Sequence, residues 1–270
     1  METKARLMPS TEDDKCDSSF DYRGVLGMLM YLATCTRPDL AYSLGQLSRF
    51  VSKPTTQRVG ALKRVLRYLV GTTEFGIRYQ KPKDAVDQAL ILQGYCSDWG
   101  SDPETRKSTS GFVFMLASGA IAWMSRRQPI IALSTAEAEY VAACEASMEA
   151  SAESNILSEI APTCKVHPII GIDSSSAHVM ATCPTYSRRT RHIELRWHYV
   201  REQVQRGSLK LIKVDGEENP ADAFTKPLDK ARLQKLCLLM GVMATRDRTC
   251  IVRGRRVEIP ILGWCMLKWL

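Results

Sequence analysis

The chain has 270 residues, 45% of them hydrophobic and 24% charged, which is the composition of a globular protein of one or two domains. Its formal charge of +8 favours acidic partners such as nucleic acid, although charge alone does not establish them. Nine scattered cysteines without a C-x-x-C pair argue against a disulfide framework and a structural zinc site, and no apolar run reaches the roughly 20 residues of a membrane span. We expect a soluble intracellular protein that is not secreted.

The N-terminal part of the chain predicts a polar lead-in, residues 1–20, followed by three helices. We place these helices at residues 22–34, 40–51 and 54–70. Asp21 is a candidate N-cap for the first helix, and Gly71 is a candidate C-cap for the third. Basic residues recur about once per turn on the third helix, which is typical of a solvated face or of a helix that follows a phosphate backbone. These residues are Arg58, Lys63, Arg64 and Arg67.

A short strand at residues 76–79 and an exposed linker near Lys81 precede a region with a different hydrophobic period. In this region we predict strands at residues 89–96, 111–117, 120–125, 168–172 and 209–214. Ser118 and Gly119 join two of these strands in a hairpin. We predict helices at residues 134–160, 174–181 and 193–206, and a short helix that begins near Pro220. From Ala244 onward the sequence has no clear period.

Acidic residues at separate points of this region are candidates for a carboxylate cluster. Glu137 and Glu139 lie about 200° apart around a helix, so only one of them can face a given site. Glu139 shares its stripe with small alanines and is the one expected to face the sheet. Asp173 follows an apolar strand, where an aspartate is ordinarily a helix N-cap, and Asp222 has the position of an ordinary first-turn acid. Asp98 is the weakest of these candidates.

A cluster of three or four such acids needs a cation, because the carboxylates otherwise repel one another. Oxygen ligands select Mg²⁺ or Mn²⁺, and a pair of these ions can activate a water and stabilise the leaving oxygen in phosphodiester cleavage. The spacing of the acids along the sequence does not show whether they converge in space.

Seven runs of the chain, between about Tyr22 and Val242, occur in the order and at the spacing of one known family. They read YRGVLGMLMYLATCTRPDLAYSLGQLSRFVSKPT, LKRVLRYLVGTTEFGI, GYCSDWGSDPETRKSTSGFVFML, GAIAWMSRRQPIIALSTAEAEYVA, IDSSSAHVMA, RRTRHIELRWHYVREQV and NPADAFTKPL. On these runs the chain resembles the C-terminal part of the Pol polyprotein of Ty1/copia-type LTR retrotransposons, namely the end of the reverse transcriptase followed by its ribonuclease H domain.

The resemblance implies an α/β chain with a ribonuclease H-like fold, a mixed five-stranded sheet with flanking helices, over residues 88–242. It also implies a small helical remnant of the reverse-transcriptase thumb or connection over residues 21–80, and it leaves residues 243–270 unplaced. The polymerase motif Tyr-x-Asp-Asp is absent from the chain, so we expect no DNA synthesis.

The activity that the resemblance implies is hydrolysis of the RNA strand of an RNA–DNA hybrid. The implied partners are that hybrid and the remaining parts of the Pol polyprotein, without a membrane. The implied location is the cytoplasm, in a virus-like particle, or the nucleus. Carried over residue by residue, the family's catalytic, metal-binding acids match Glu139, Asp173 and Asp222, with two Mg²⁺ or Mn²⁺ ions as cofactor.

The fourth catalytic and metal-binding candidate, Asp98, lies where the chain departs from the family pattern Gly-Tyr-x-Asp-x-Asp-Trp. The chain is one residue shorter here and has a single aspartate. Aligned on Trp99, Asp98 is the second, non-catalytic aspartate of the pattern. Aligned on Tyr95, it lies one residue late and points away from the site unless a bulge re-aims it. The alternative function is therefore a catalytically inactive, nucleic-acid-binding remnant of a retroelement.

The most basic part of the chain, residues 188–201, has aromatic residues between its charges and is expected to contact nucleic acid. Hydroxyl groups elsewhere are candidates to contact the 2′-OH of an RNA strand. The alternative is that the aromatic residues belong to the core and the charges to a solvated face. The substrate-binding candidates are Arg188, Arg189, Arg191, His192, Arg196, Ser108, Thr109 and Arg126.

Overall fold

The computed structural model describes residues 20–80, 89–100, 105–183 and 198–244, together with two short strands at 249–252 and 255–258. Among these residues, none of the helices is both long and apolar enough to cross a lipid bilayer.

Between residues 20 and 80, three helices form a small unit. They are α1, Tyr22–Cys35, α2, Ala41–Ser48, and α3, Thr56–Val70. The predicted cap of α1 is confirmed, because Oδ1 of Asp21 accepts a hydrogen bond from the Gly24 amide at 2.9 Å. Each helix buries one face, and the leucines of these faces form a shared core. Helix α2 is shorter than predicted and follows a 3₁₀ turn, Pro38–Leu40. A short strand, β1, Phe75–Ile77, comes after α3.

Within the described residues, the centre of the molecule is a mixed five-stranded sheet. Its strands are β2, Ala89–Trp99, β3, Thr109–Leu116, β4, Gly119–Arg127, β5, Lys165–Ile172, and β6, Lys210–Lys213. They lie in the order β4-β3-β2-β5-β6. The β2, β3 and β4 strands are antiparallel neighbours, whereas β5 and β6 continue the sheet parallel to β2. The carboxyl ends of β2, β5 and β6 therefore lie at one edge, where residues that follow the strands meet.

Helices cover both faces of this sheet. Among the described residues they are α4, Thr135–Ile160, α5, Ser175–Thr182, α6, Tyr199–Gln205, and α7, Lys230–Leu239. Helix α4 lies against β2 and β5 on one face, where small residues such as Ala143 and Ala146 let it approach Cys96 and Phe114. On the other face, the 3₁₀ turn Pro220–Phe224 and α7 pack against β3. The predicted α/β fold, a ribonuclease H-like sheet with flanking helices, is confirmed.

The three-helix unit and the sheet are in direct contact. Strand β1 pairs antiparallel with β7, Val242–Ala244. On β4, Nε1 of Trp123 donates a hydrogen bond to the carbonyl oxygen of Ala33 on α1 at 2.7 Å. Gly241, which precedes β7, has φ +75°, and a Cβ there would lie 2.7 Å from the carbonyl oxygen of Ser118, so glycine is required. The division of the chain into domains near Lys81 stays a prediction.

The predicted strands of the sheet are all present, with ends that differ by a few residues. The predicted hairpin between β3 and β4 is confirmed, but its turn residues are Ala117 and Ser118, one position earlier than expected, with φ 51° and 64°. Helix α7 and strand β7 were not predicted. After residue 244, where the sequence has no clear period, β8, Thr249–Val252, pairs with β9, Arg255–Glu258.

Candidate active site

Strand β2 presents alternate side chains to the two faces of the sheet, and this alternation decides where its acid points. Its ladder with β3 is continuous over Gln93–Trp99, so this part of β2 has no bulge that could re-aim Asp98. Cys96 lies in the core beneath α4, and Asp98, two residues later, lies on the same face. Ser97 points to the opposite face. Regular alternation alone therefore directs Asp98 toward α4.

Asp98 meets Glu139 of α4, and their carboxyl groups share a hydrogen bond. Burial raises the pKa of Glu139 well above its usual range, and the charges of Asp98 and Asp173 raise it further. Burial also raises the pKa of Asp98, against a hydrogen bond from Ser108 that lowers it. Oε2 of Glu139 is buried and has no hydrogen-bond partner among the described residues. This pair of acids needs a shared proton or a cation to be stable in the folded chain.

Asp173 directly follows β5, whose carboxyl end lies next to that of β2. It does not cap α5, because that cap is Ser174, whose Oγ accepts a backbone hydrogen bond at 3.1 Å. The N-cap alternative for Asp173 is therefore wrong. Burial raises the pKa of Asp173, the charge of Asp222 raises it further, and nearby lysines lower it. One of them, Lys213, also donates from Nζ to the carbonyl oxygen of Asp173 at 2.6 Å.

The backbone near Asp222 is anchored to β2 by an asparagine. Asn219 caps the 3₁₀ turn that contains Asp222, since its Oδ1 accepts a hydrogen bond from the Ala221 amide at 3.0 Å. Its Nδ2 donates to the carbonyl oxygen of Cys96 at 2.9 Å. Both groups are buried, so this bridge fixes Asp222 relative to the strand that carries Asp98.

The carboxylate of Asp222 already has partners within the chain. Its Oδ1 accepts a hydrogen bond from Oγ of Ser97 at 2.9 Å and lies 2.8 Å from Nζ of Lys226. Its Oδ2 lies 3.6 Å from Nη2 of Arg232. Lys226 also lies 5.3 Å above the ring of Trp99, and its charge lowers the pKa of Asp98. Lys226 thus offsets part of the negative charge of the whole site.

The carboxylates present fit a hard divalent cation in their chemistry, because they are oxygen donors and Glu139 has an oxygen without a partner. As the side chains stand, however, no three Asp, Glu, His or Cys residues of the described part are placed to hold a metal ion. Asp98 and Glu139 lie on the α4 face, and Asp222 bonds with Ser97 on the other face. Asp173 is close enough to both groups to interact with their charges.

No protein-family model matches the chain. It is 36% identical over 239 residues to the retrovirus-related Pol polyprotein from transposon TNT 1-94 of Nicotiana tabacum, an alignment that covers 88% of this chain and 18% of that protein. It is also 36% identical over 224 residues to the retrovirus-related Pol polyprotein from transposon RE2 of Arabidopsis thaliana, covering 83% of this chain and 15% of that protein. The chain belongs to the Pol polyproteins of Ty1/copia-type retrotransposons. The predicted family is thus confirmed.

The chain spans less than a fifth of these Pol polyproteins. Over 130 residues it is also 45% identical to a protein named secreted RxLR effector protein 161 of Plasmopara viticola, covering 48% of this chain and 88% of that one. Among solved structures it is similar to ribonuclease H1 from Halobacterium salinarum NRC-1, with 16% identity, coverage of 50% of this chain and 94% of that chain, and a TM-score of 0.35. That score is too low to add to the argument, so the fold rests on the sheet order and the Pol relatives.

Of the eight predicted substrate-binding residues of this Pol segment, the structure describes three. Ser108 and Thr109 are buried at the start of β3, and Ser108 bonds with Asp98. Nη2 of Arg126 lies 3.0 Å from Oε1 of Glu145 on α4, with the arginine side chain 63% exposed. The other five candidates, Arg188, Arg189, Arg191, His192 and Arg196, lie outside the described residues. Their contact with substrate stays a prediction.

Glu137, the acid two residues before Glu139 on α4, has a structural role. Its Oε2 accepts a hydrogen bond from the Leu133 amide at 2.8 Å, while Oγ of the N-cap Ser134 accepts one from the Glu137 amide at 3.2 Å. This arrangement differs from a capping box in one respect, because the Glu137 carboxylate binds the amide of the residue before the N-cap and not the amide of the N-cap itself. The prediction that only one of the two glutamates faces the site is therefore confirmed.

Three residues that hold the acids of this Pol segment were not predicted as members of the site: Ser97, Asn219 and Lys226. Two of them had a signal in the sequence. Lys226 comes four residues after Asp222, a spacing at which opposite charges meet on a helix, and Asn219 stands before a proline, as caps do. Ser97 had no such signal, because its role depends on which face of β2 it occupies.

Proposed function

We propose that this chain is a retrotransposon ribonuclease H that hydrolyses the RNA strand of RNA–DNA hybrids with divalent cations. The observation that supports it most directly is the contact between Asp98 and Glu139. This contact places Asp98, the acid at which the chain departs from the family pattern, beside Glu139, which matches the family's acid on the helix. The family and the sheet order support the ribonuclease H-type domain. The hybrid and the rest of a Pol polyprotein are the proposed partners, in the cytoplasm or the nucleus.

In this proposal Asp98, Glu139, Asp173 and Asp222 would hold Mg²⁺ or Mn²⁺, two ions by analogy with the family. Such ions supply an activated water and stabilise the leaving oxygen of a phosphodiester. Other residues of the chain position these carboxylates. Hydrogen bonding from Ser108 keeps Asp98 directed at Glu139, and the Asn219 bridge keeps Asp222 close to β2.

The test is cleavage of a hybrid with a labelled RNA strand, in Mg²⁺ or Mn²⁺, by the purified chain. Asp173→Asn should abolish cleavage, because it removes a carboxylate at the carboxyl end of β5. The matched control is Glu159→Gln, which makes the same charge change at the exposed far end of α4 and should cleave normally. Unchanged activity in Asp173→Asn would contradict the proposal that Asp173 is a catalytic acid.

A second candidate function is an inactive, nucleic-acid-binding remnant. It is favoured by the partners that Asp222 already has and by the lack of three converged metal-binding side chains among the described residues. Inserting an aspartate between Cys96 and Ser97 restores the family spacing. If the remnant hypothesis is right, the unaltered chain is inactive and cleavage appears in the insertion variant. Robust cleavage by the unaltered chain rules it out.

A further inference from the structure

Lys226 is a cation that lies within the candidate acid site. Its Nζ is 2.8 Å from Oδ1 of Asp222, and the two side chains are only 24% and 7% exposed. Burial raises the pKa of Asp98 and of Asp173, and the charge of Lys226 opposes both shifts. The charge of one lysine therefore acts on three of the four acids that are proposed to hold a metal ion.

The backbone keeps Lys226 close to Asp222 whatever position its side chain takes. The amides of Thr225 and Lys226 both donate to the carbonyl oxygen of Asp222, each at 3.2 Å. Beyond this anchor, a lysine side chain is a flexible four-carbon stem that ends in a compact charge. The Trp99 ring, whose centroid is 5.3 Å from Nζ, gives the ammonium a second favourable surface. Lys226 is thus able to leave the carboxylate without leaving the site.

The other partners of the Asp222 carboxylate do not have this freedom. Arg232 lies 3.6 Å from Oδ2, and its guanidinium donates to Oε2 of Glu217 at 2.6 Å, which holds it in place. Ser97 donates a neutral hydrogen bond to Oδ1 at 2.9 Å. Within the part of the chain that the structure describes, Lys226 is the closest cation to this carboxylate.

A divalent cation that binds Oδ1 of Asp222 has to displace one of its two present partners. A carboxylate oxygen has about two lone-pair positions, and the Ser97 hydroxyl and the Lys226 ammonium take both. Displacing the ammonium also moves a like charge away from the incoming ion, whereas displacing the hydroxyl leaves the two cations side by side. The ammonium is therefore the group that gives way.

We propose that Lys226 is an internal cation that competes with the divalent cation for Asp222, so that metal binding displaces its ammonium from this carboxylate. The inference rests on the proposed function for the identity of the metal-binding acids, and it adds a control on metal loading that belongs to the chain itself. If the lysine-bound form of Asp222 outweighs the free form about tenfold, the apparent metal affinity is reduced about tenfold.

The experiment measures binding of Mn²⁺ alone, by isothermal titration calorimetry, to the unaltered chain and to Lys226→Met, Asp222→Asn and the double variant. We expect Lys226→Met to tighten Mn²⁺ binding at least about tenfold when Asp222 is present. In the Asp222→Asn background the same change should tighten binding by less than about threefold, because only the distant effect of the charge is left. An equal gain in both backgrounds, or no gain in either, overturns the inference.

Lys213→Met is the matched control for the loss of one positive charge near the acids. Nζ of Lys213 donates to the carbonyl oxygen of Asp173 at 2.6 Å and also lowers the pKa of that acid, but it does not pair with Asp222. Its effect on Mn²⁺ binding should be small and the same with and without the Asp222 carboxylate. A gain from Lys213→Met as large as that from Lys226→Met, with the same dependence on Asp222, contradicts direct competition.

Thermal melts give a second measurement that a purely structural ion pair would not satisfy. In EDTA, Lys226→Met should melt at a lower temperature than the unaltered chain, because Asp222 loses its nearest cation. In saturating Mn²⁺ this difference should shrink or reverse, since the metal replaces the ammonium. Equal losses in both conditions overturn the inference. If Lys226→Met has no cooperative melt, Lys226→Gln takes its place in both measurements.

Cleavage of the hybrid is measured separately in Mg²⁺, so the two proposals fail independently. Mn²⁺ binding that depends on Lys226 through Asp222, without cleavage, leaves this inference standing and removes the proposed activity. Cleavage together with equal gains in both Asp222 backgrounds does the reverse. Mn²⁺ binding by Lys226→Met but not by the unaltered chain supports the inference in its strongest form. Absence of Mn²⁺ binding by both chains overturns it.

Discussion

Replacing Glu139 with glutamine should stabilise the chain in the absence of metal, although it removes a proposed catalytic acid. The carboxyl group is buried beside Asp98, and its Oε2 has no hydrogen-bond partner among the described residues. At neutral pH a glutamate is ionised in the unfolded chain, so folding must protonate this group or bury its charge, at a cost of about 1.4 kcal/mol for each pH unit above its ordinary pKa of 4.5, whereas a glutamine is neutral in both states. We therefore expect Glu139→Gln to raise the free energy of unfolding by about 1–3 kcal/mol at neutral pH, or the melting temperature by about 2–12 °C.

The sign of the pH dependence follows from the direction of the pKa shift. Glu139 has a pKa above its ordinary value of 4.5 in the folded chain, so the native state holds its proton over a wider pH range than the unfolded state. The stability that this group contributes is fully present below about pH 4.5 and is lost as the pH rises toward the folded-state pKa. The advantage of Glu139→Gln over the unaltered chain should therefore be small at acidic pH and grow toward neutral pH.

Urea denaturation in EDTA at a series of pH values measures this difference. Glu159→Gln, on the exposed end of the same helix, is the control and should have no pH-dependent advantage. Adding Mg²⁺ or Mn²⁺ should stabilise the unaltered chain more than the Glu139→Gln variant, because a bound cation neutralises the acids. If Glu139→Gln is less stable than the unaltered chain at neutral pH in EDTA, the buried Glu139 carboxyl group does not destabilise the fold and the reasoning is refuted.

Three further changes have expected outcomes in urea or thermal denaturation. Asp39→Asn should cost about 3–5 kcal/mol, because it breaks a buried ion pair with Arg37 and weakens the Tyr68 contact; a loss below about 1 kcal/mol contradicts this. Glu137→Ala should cost about 0.5–2 kcal/mol through loss of the hydrogen bond from the Leu133 amide at the start of α4, with Glu137→Gln retaining most of the stability; equal losses in both argue against this role. Gly241→Ala should destabilise by more than about 1 kcal/mol, since its φ of +75° and the nearby carbonyl oxygens oppose a Cβ; a neutral result contradicts the close approach.

Local features of this chain could be predicted because their causes lie within a few residues. Asp21 caps α1 and Ser134 starts α4, and each is bound to an amide three residues later. The alternating strands of the sheet also follow from local pattern. Strand β7 could not be predicted in this way, because its three residues, Val242–Ala244, form a strand only by pairing with β1 more than 160 residues earlier.

The candidate site was partly predictable for a related reason. Glu139 and Asp173 lie at positions that the strand and helix pattern brings to one edge of the sheet. The partners of Asp222 could not be deduced from periodicity, because Ser97 reaches it across 125 residues of sequence. The direction of Asp98 also depended on whether β2 is bulged, and only the observed ladder with β3 resolves that question.

The register of β2 explains how a strand that is one residue short still directs an acid to α4. Gly94 is held where it is because the Phe114 ring occupies the space of a Cβ, and the next residue, Tyr95, pairs with Gly171 on β5. With the register held at Gly94, the shorter spacing affects only the residues that follow. Counting from Tyr95, Ser97 takes the place of the first family aspartate and bonds with Asp222. Asp98 then lies on the opposite face and bonds with Glu139. The chain thus has an acid next to Glu139 at this edge of the sheet, but it comes from the other face of the strand. The cleavage assay of the insertion variant tests whether an acid on the family's face of β2 is needed for activity.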